Sequence, residues 1–279
     1  MAFKQFIMKT GRISKGEVQQ GSTLPEIGRI KVGEKRQLAS GKEIPTSLDY
    51  FKATGKFANQ FTSLFGDKPT ELHIAFVSNN LSEVCNERFE AWDKGKRLGY
   101  GDGETFTVWD ATGGIDGKGA YIDNLPKTDP RVKALGKLWS QMLTLRFVLL
   151  KMKGVLGYWT FETKAKETTI PSIVKAFDMV MERSGSIIGF PFSLVVEKVQ
   201  SYTPGAAKNY PIVKLIPNFT EETIEAVRGY VEAGGELNRL TTTMITSGAI
   251  LNAGVKSLSA GDSAGSAGEV EFTEVEEVK

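Results

Sequence analysis

The sequence predicts an α+β fold of mixed or antiparallel, curled sheets with few helices. Three observations lead there. Short stretches alternate apolar and polar residues with the twofold period of a strand, as at 25–32 (PEIGRIKV) and 71–78 (ELHIAFVS). Helical spacing is confined to a few short stretches. The later half runs β-β-α-β-β, which fits a small curled sheet of the oligonucleotide-binding barrel kind or another α+β sheet.

The elements follow in order. Residues 1–24, rich in Lys, Gly, Ser and Gln, read as a flexible N-terminal segment. The strand at 25–32 is followed by a charged loop at 33–45, a short apolar stretch at 48–51 and a short helix at 56–65 that ends at Gly66. After the strand at 71–78, residues 82–93 show helical spacing: Val84, Arg88 and Trp92 lie four apart, and Ser82 is placed to N-cap. Residues 94–103 read as turns and 105–110 (TFTVWD) as a strand. The Gly-, Asp- and Pro-rich stretch 113–130 reads as a long loop or subdomain boundary, closing an N-terminal α+β region at 25–130.

The region 131–240 opens with strands at 143–152 (LTLRFVLLKM) and 155–163 (VLGYWTFET), joined by a tight turn at Lys153 and Gly154. A helix begins at Thr169 with Pro171 near its first turn. Its apolar positions are Ile173, Val174, Phe177, Val180 and Met181, and it ends by Gly185. Strands at 192–202 and 210–217 and a short helix at 220–234 complete this region. Residues 254–279 read as a flexible Ser/Ala/Gly-rich linker and an acidic tail.

Composition narrows the function classes. A chain of 279 residues with 41% apolar and 24% charged residues can build a sizeable core. No apolar run approaches the roughly 20 residues a membrane span needs. The opening MAFKQFIMKTGRISKGE lacks the apolar core of a secretory signal, so a cytoplasmic location is expected. One cysteine and one histidine exclude an internal disulfide and any cysteine-rich or multi-histidine metal site. The tail from Asp262 carries six acids against Lys279, a charge of −5, so the rest of the chain carries +7 within the net +2. A basic body with an acidic tail fits a protein that meets a polyanion.

The richest stretch is 85–110, CNERFEAWDKGKRLGYGDGETFTVWD. It holds four cations (Arg88, Lys94, Lys96, Arg97), five aromatics (Phe89, Trp92, Tyr100, Phe106, Trp109) and four glycines. Cations neutralise phosphates, and flat rings stack on unpaired bases at roughly 1–3 kcal/mol per base. Arg88, Trp92, Lys94, Lys96, Arg97 and Tyr100 are therefore the candidate surface for nucleic acid or a protein partner. The alternative is a basic hairpin whose rings pack on the core. In the later sheet, Trp159 and Phe161 share a face expected to be core. Tyr158 lies on the other, with Arg146, Lys164 and Lys166 nearby.

Signatures of catalysis are missing. There is no phosphate loop of the GxxxxGK[ST] type and no GxSxG elbow, and the glycines at 99, 101 and 103 lack the strand-turn-helix setting of a dinucleotide site. A serine triad would have to use His73, which sits mid-strand, where a histidine is expected to be structural. Asp102, Glu104 and Asp110 could hold a magnesium ion as hard oxygen ligands, but Asp102-Gly103 reads as a hairpin turn. Cys85 reads as a small buried hydrophobe. No catalysis and no cofactor are expected.

The acidic end, with Glu271, Phe272, Glu274, Glu276 and Glu277 after a flexible linker, resembles the partner-recruiting tails of bacterial single-strand-binding proteins. Three further places carry a broader resemblance. The first is 27–33 (IGRIKVG), with Pro45 and then Asp49-Tyr50-Phe51 before Thr54. The second is Trp92, Gly95, Arg97 and Asp102-Gly103-Glu104. The third is 144–149 (TLRFVL), 154–163 (GVLGYWTFET), the helix, the strand at 191–195 and Tyr210-Pro211-Ile212-Val213. Together they span roughly 25–220, and the chain resembles the recombination directionality factors of temperate phages that use large serine integrases. Members of that family are often labelled "hydrolase or metal-binding protein". Actinobacterial members place several cysteines, like a zinc knuckle, around the aspartate-glycine stretch. Here no cysteine stands there, so no metal role is carried over.

The resemblance implies a non-catalytic accessory protein of phage DNA metabolism that binds a serine integrase on DNA and favours excision. A replication protein is a further expected partner, because family members sit among replication genes. The alternative is a single-stranded DNA-binding protein with a barrel-like core and a recruiting tail. No membrane partner is expected.

Overall fold

The computed structural model describes residues 24–41, 43–114, 117–201, 209–237, 239 and 241. Eleven strands join into one open, mixed sheet. β1 (Glu26–Gln37) and β2 (Glu43–Thr54) form an antiparallel hairpin. β1 also runs parallel to β9 (Tyr158–Thr163), the pairing that makes the sheet mixed. The hub is β8 (Trp139–Leu149). Its residues 143–145 pair with β9 along one edge and with β4 (Cys85–Asp93) along the other. Val148 and Leu149 pair with β3 (Glu71–Ala75), which leads to β10 (Pro191–Gln200) and β11 (Asn209–Pro217). From β4 the chain continues as an antiparallel meander through β5 (Lys96–Gly101), β6 (Thr105–Asp110) and β7 (Ala120–Pro126). The helices among the described residues are α1 (Ala58–Phe65), α2 (Leu81–Val84), α3 (Pro130–Ala134), α4 (Thr169–Ser184) and α5 (Glu221–Glu232). The fold is thus α+β, and the barrel-or-sheet alternative resolves to an open mixed sheet.

Local chemistry explains the element limits. α4 carries Pro171 in its first turn, where a missing N–H costs nothing. It stops at Gly185, whose left-handed φ of 69° lets its N–H donate to the Met181 carbonyl. α5 starts with a capping box in which Thr220 and Thr223 bond each other's backbone N–H. Along β8 and β9 the twofold alternation sends Leu143, Leu145, Phe147, Trp159 and Phe161 into one core with Ile173 and Phe177 of α4. Trp159 and Phe161 are each 1% exposed, as their spacing predicts. Burying such a ring contributes about 1.5–3 kcal/mol. Gly28 is where β1 crosses Trp159: a Cβ there would lie 2.4 Å from the indole and 2.6 Å from the Thr54 carbonyl oxygen.

Three readings change. Residues 82–93 are not a helix. One turn, α2, is capped by Asn80, whose Oδ1 accepts from the Ser82 N–H at 3.1 Å, and the chain then extends as β4. Residues four apart share a face in a strand as well as in a helix, so the Val84–Arg88–Trp92 spacing does not separate the two. The expected turns at 94–103 reduce to the β5–β6 turn at Asp102-Gly103 and to Lys94-Gly95, both left-handed (φ 46° and 78°), the two-residue connection that hairpin twist favours. β5 follows. The loops at 33–45 and 113–130 are likewise shortened, because the β1–β2 ladder runs on to Gln37↔Glu43 and β7 forms within the second. Among the described residues no helix is long and apolar enough to cross a membrane. The segment 1–23 and the linker and tail at 254–279, with Glu271, Phe272, Glu274, Glu276 and Glu277, lie outside the described residues.

Candidate functional site

The 85–110 stretch forms most of the meander, and strand alternation divides its side chains. One face carries Phe106, Val108 and Leu125, packed with Val132 of α3 and with Phe89, Ile122, Leu135 and Trp139 into a second, smaller core. Trp139 lies over Gly99, where a Cβ would meet its ring at 2.7 Å, and its Nε1 donates to the Val132 carbonyl at 2.9 Å. Glycine in β5 thus lets a large ring cover the strand.

The opposite face looks outward. Arg88, Glu90 and Trp92 alternate along β4, and the register sets Glu90 opposite Tyr100 and Trp92 opposite Arg97. Glu90 is 2% exposed, although it lies on this outward face. Its carboxylate accepts from Arg88 Nε at 2.7 Å and from Trp92 Nε1 at 2.8 Å, with Arg97 Nη1 at 3.9 Å. Burial alone would raise the Glu90 pKa. The hydrogen bonds from Trp92 and Arg88 and the charges of Arg88 and Arg97 outweigh it, holding the carboxyl below its ordinary value. The Arg97 guanidinium sits 4.6 Å from the centre of the Tyr100 ring.

Four of the six predicted residues, Arg88, Trp92, Arg97 and Tyr100, therefore gather around Glu90. Lys94 and Lys96 stand at the exposed β4–β5 turn beside them. Sequence reasoning missed Glu90, which reads there as one acid among several, and Tyr121, which lay in an expected loop. Tyr121 on β7 faces Trp109 across the ladder, with ring centres 5.2 Å apart in an edge-on arrangement, and lies 6.0 Å from Tyr100. Its hydroxyl donates to the Arg97 carbonyl at 2.7 Å, spanning β6 to reach β5.

The other candidates resolve into local structure. Asp102 Oδ1 accepts from the N–H groups of Glu104 (2.9 Å) and Thr105 (2.7 Å), so it builds the β5–β6 turn. Asp110 Oδ1 likewise accepts from Thr112 N at 2.9 Å. Among the described residues, no group of three or more His, Cys, Asp or Glu side chains is placed to hold a metal. His73 Nδ1 lies 3.2 Å from Ser193 Oγ and 3.9 Å from Glu71 Oε1. Both neighbours meet the same ring nitrogen, whereas a serine relay uses one nitrogen for each. Cys85 is fully buried in the main core, and burial pushes its thiol pKa far up. On the outward face of β8 and β9, Arg146 lies 5.6 Å from the centre of the Tyr158 ring and donates to the Glu83 carbonyl at 2.9 Å.

No curated protein and no solved structure matches the chain. A family model does: it matches residues 27–218, which contain all eleven strands except the first residue of β1, the smaller core and the whole Glu90-centred face. The chain belongs to the Gp3-like, recombination directionality factor-like family.

Proposed function

We propose that this chain is a non-catalytic accessory protein of phage-type DNA recombination that binds a large serine integrase and favours excision over integration. The family supports the recombination role. The observation that carries the mode of action is the Glu90-centred cluster. It presents Arg88, Trp92, Arg97 and Tyr100 on an outward sheet face, a surface suited to docking. Lys94 and Lys96 extend that surface at the turn, within reach of acidic integrase residues or of DNA phosphates.

Such a factor shifts recombination only by the difference in its affinity for the two synaptic arrangements. A hundredfold change of direction needs a difference of about 2.7 kcal/mol, within the reach of one or two buried aromatic contacts. The test is recombination in vitro with the large serine integrase of the same genetic element. On adding the chain, attL × attR recombination should rise and attP × attB recombination should fall. If both reactions proceed unchanged at saturating protein, the proposal fails.

A further inference from the structure

We infer that the outward face of the meander is a preformed docking surface for a protein segment, anchored on Trp92, Tyr100, Trp109 and Tyr121 and held in shape by Glu90; this rests on the partner-binding reading above. Two of the anchors, Trp109 and Tyr121, extend the surface two strands beyond the β4–β5 hairpin. Trp92, Tyr121 and Trp109 are 41%, 40% and 39% exposed, yet each ring is held at one edge. Trp92 is tied to Glu90, Tyr121 to the Arg97 carbonyl, and Trp109 rests edge-on against Tyr121. Half-exposed Trp and Tyr rings interleaved with arginine are the composition that dominates protein-interface energetics. Anchors ordered before binding lose less side-chain freedom on contact.

Charge selects the class of partner. Residues 85–140 contain nine acids and nine bases. Arg88 and Arg97 already face the Glu90 carboxylate. Polyanion binding draws on an excess of cations and on counterion release, and this region has no net excess. Of the exposed cations beside the rings, Arg97 already faces Glu90, and Lys94 and Lys96 lie together at the β4–β5 turn. The complementary partner is therefore a protein element with apolar side chains at its centre and a carboxylate at the end that meets this turn. Glu90 acts as a positioning residue: it orients Trp92 and Arg97 without being reachable itself.

The test uses the full-length chain and two probes, the large serine integrase of the same element and fluorescein-labelled dT20. Binding is measured at two salt concentrations for wild type, Trp109→Ala, Tyr121→Ala, Tyr121→Phe and Glu90→Gln. Near-ultraviolet circular dichroism and melting confirm that each variant is folded. The expected result is integrase binding weakened at least about tenfold by Trp109→Ala and Tyr121→Ala, with Tyr121→Phe, which keeps the ring, close to wild type. Glu90→Gln should weaken integrase binding and shift the tryptophan emission together, with no such shift in a Trp92→Phe background, and dT20 should bind negligibly. Integrase binding that is unchanged in both alanine variants would overturn the surface while leaving the partner-binding reading intact. Salt-sensitive dT20 binding lost in Trp109→Ala would assign the face to single-stranded nucleic acid instead. No integrase binding by wild type would remove the reading and the inference together.

Discussion

A carboxylate almost wholly withdrawn from water on a sheet face is stable only if its oxygens are bonded and its charge is compensated. Glu90 meets both conditions through Trp92 and Arg88, with Arg97 close by. Glu90→Gln removes the charge that Arg88 and Arg97 face. It should destabilise the fold by about 1–3 kcal/mol at pH 7, in the range of charge-assisted hydrogen bonds. The pH dependence has a definite sign. The folded pKa of Glu90 is depressed, so its contribution is complete above the unfolded value of about 4.3. It is lost as pH falls through the lower folded value. The gap in melting temperature between wild type and Glu90→Gln should be full at pH 7 and should close on acidification below about pH 4. A gap that stays constant with pH would show that the ionised carboxylate is not what holds the cluster. Of this cluster, Arg88, Trp92, Arg97 and Tyr100 were legible as a concentration of cations and rings. Glu90 was not, because an acid between cations normally reads as solvated surface.

Strands are constrained by what lies directly across the ladder. Gly28 is the sharpest case. Gly28→Val puts methyl groups where the Trp159 ring and the Thr54 carbonyl already stand, so it should destabilise by about 1–3 kcal/mol or more. Urea unfolding checks this, and an unchanged midpoint would mean that β1 does not cross Trp159 this closely. The free edges of the sheet are blunted by the same kind of local chemistry. β11 carries Pro211 and Pro217, and its Val213 N–H is taken by Thr169 Oγ1 at 3.1 Å. β7 ends at Pro126, and its register shifts near Asn124, which adopts a φ of 60°. β2 contains Pro45. These devices disfavour chain-to-chain strand pairing, so contacts on the meander pass through its side-chain face.

At the scale of the whole molecule, two principal cores hang on one sheet, beside a small cluster of Ala75, Val148 and Leu150. The larger joins β1, β2, β3, β8, β9, β10, β11 and Cys85 of β4 with α1, α2, α4 and α5, and the smaller lies under the meander. β8 reaches both, through Leu143, Leu145 and Phe147 in the first and Trp139 beside the second. Amide hydrogen exchange should therefore be slowest in β8 and β3, and the β6–β7 end of the meander should open first, because β7 is a sheet edge and this end packs on the smaller core. Uniform protection across the two would contradict this division. The sequence by itself determined the twofold faces of β9, the start and stop of α4, the burial of Trp159, Phe161 and Cys85, and the family. Each of these rests on chemistry within a few residues or on motifs read along the chain. The tertiary structure decided that 85–93 is a strand, that β1 runs parallel to β9, and that Tyr121 and Glu90 join the candidate surface. Fourfold spacing is common to helix and strand, and pairing of β4 with β5 and with β8, some 50 residues away, breaks the tie. Tyr121 reaches Arg97 across 24 residues. No local pattern encodes that proximity, because it exists only once β5, β6 and β7 are in register.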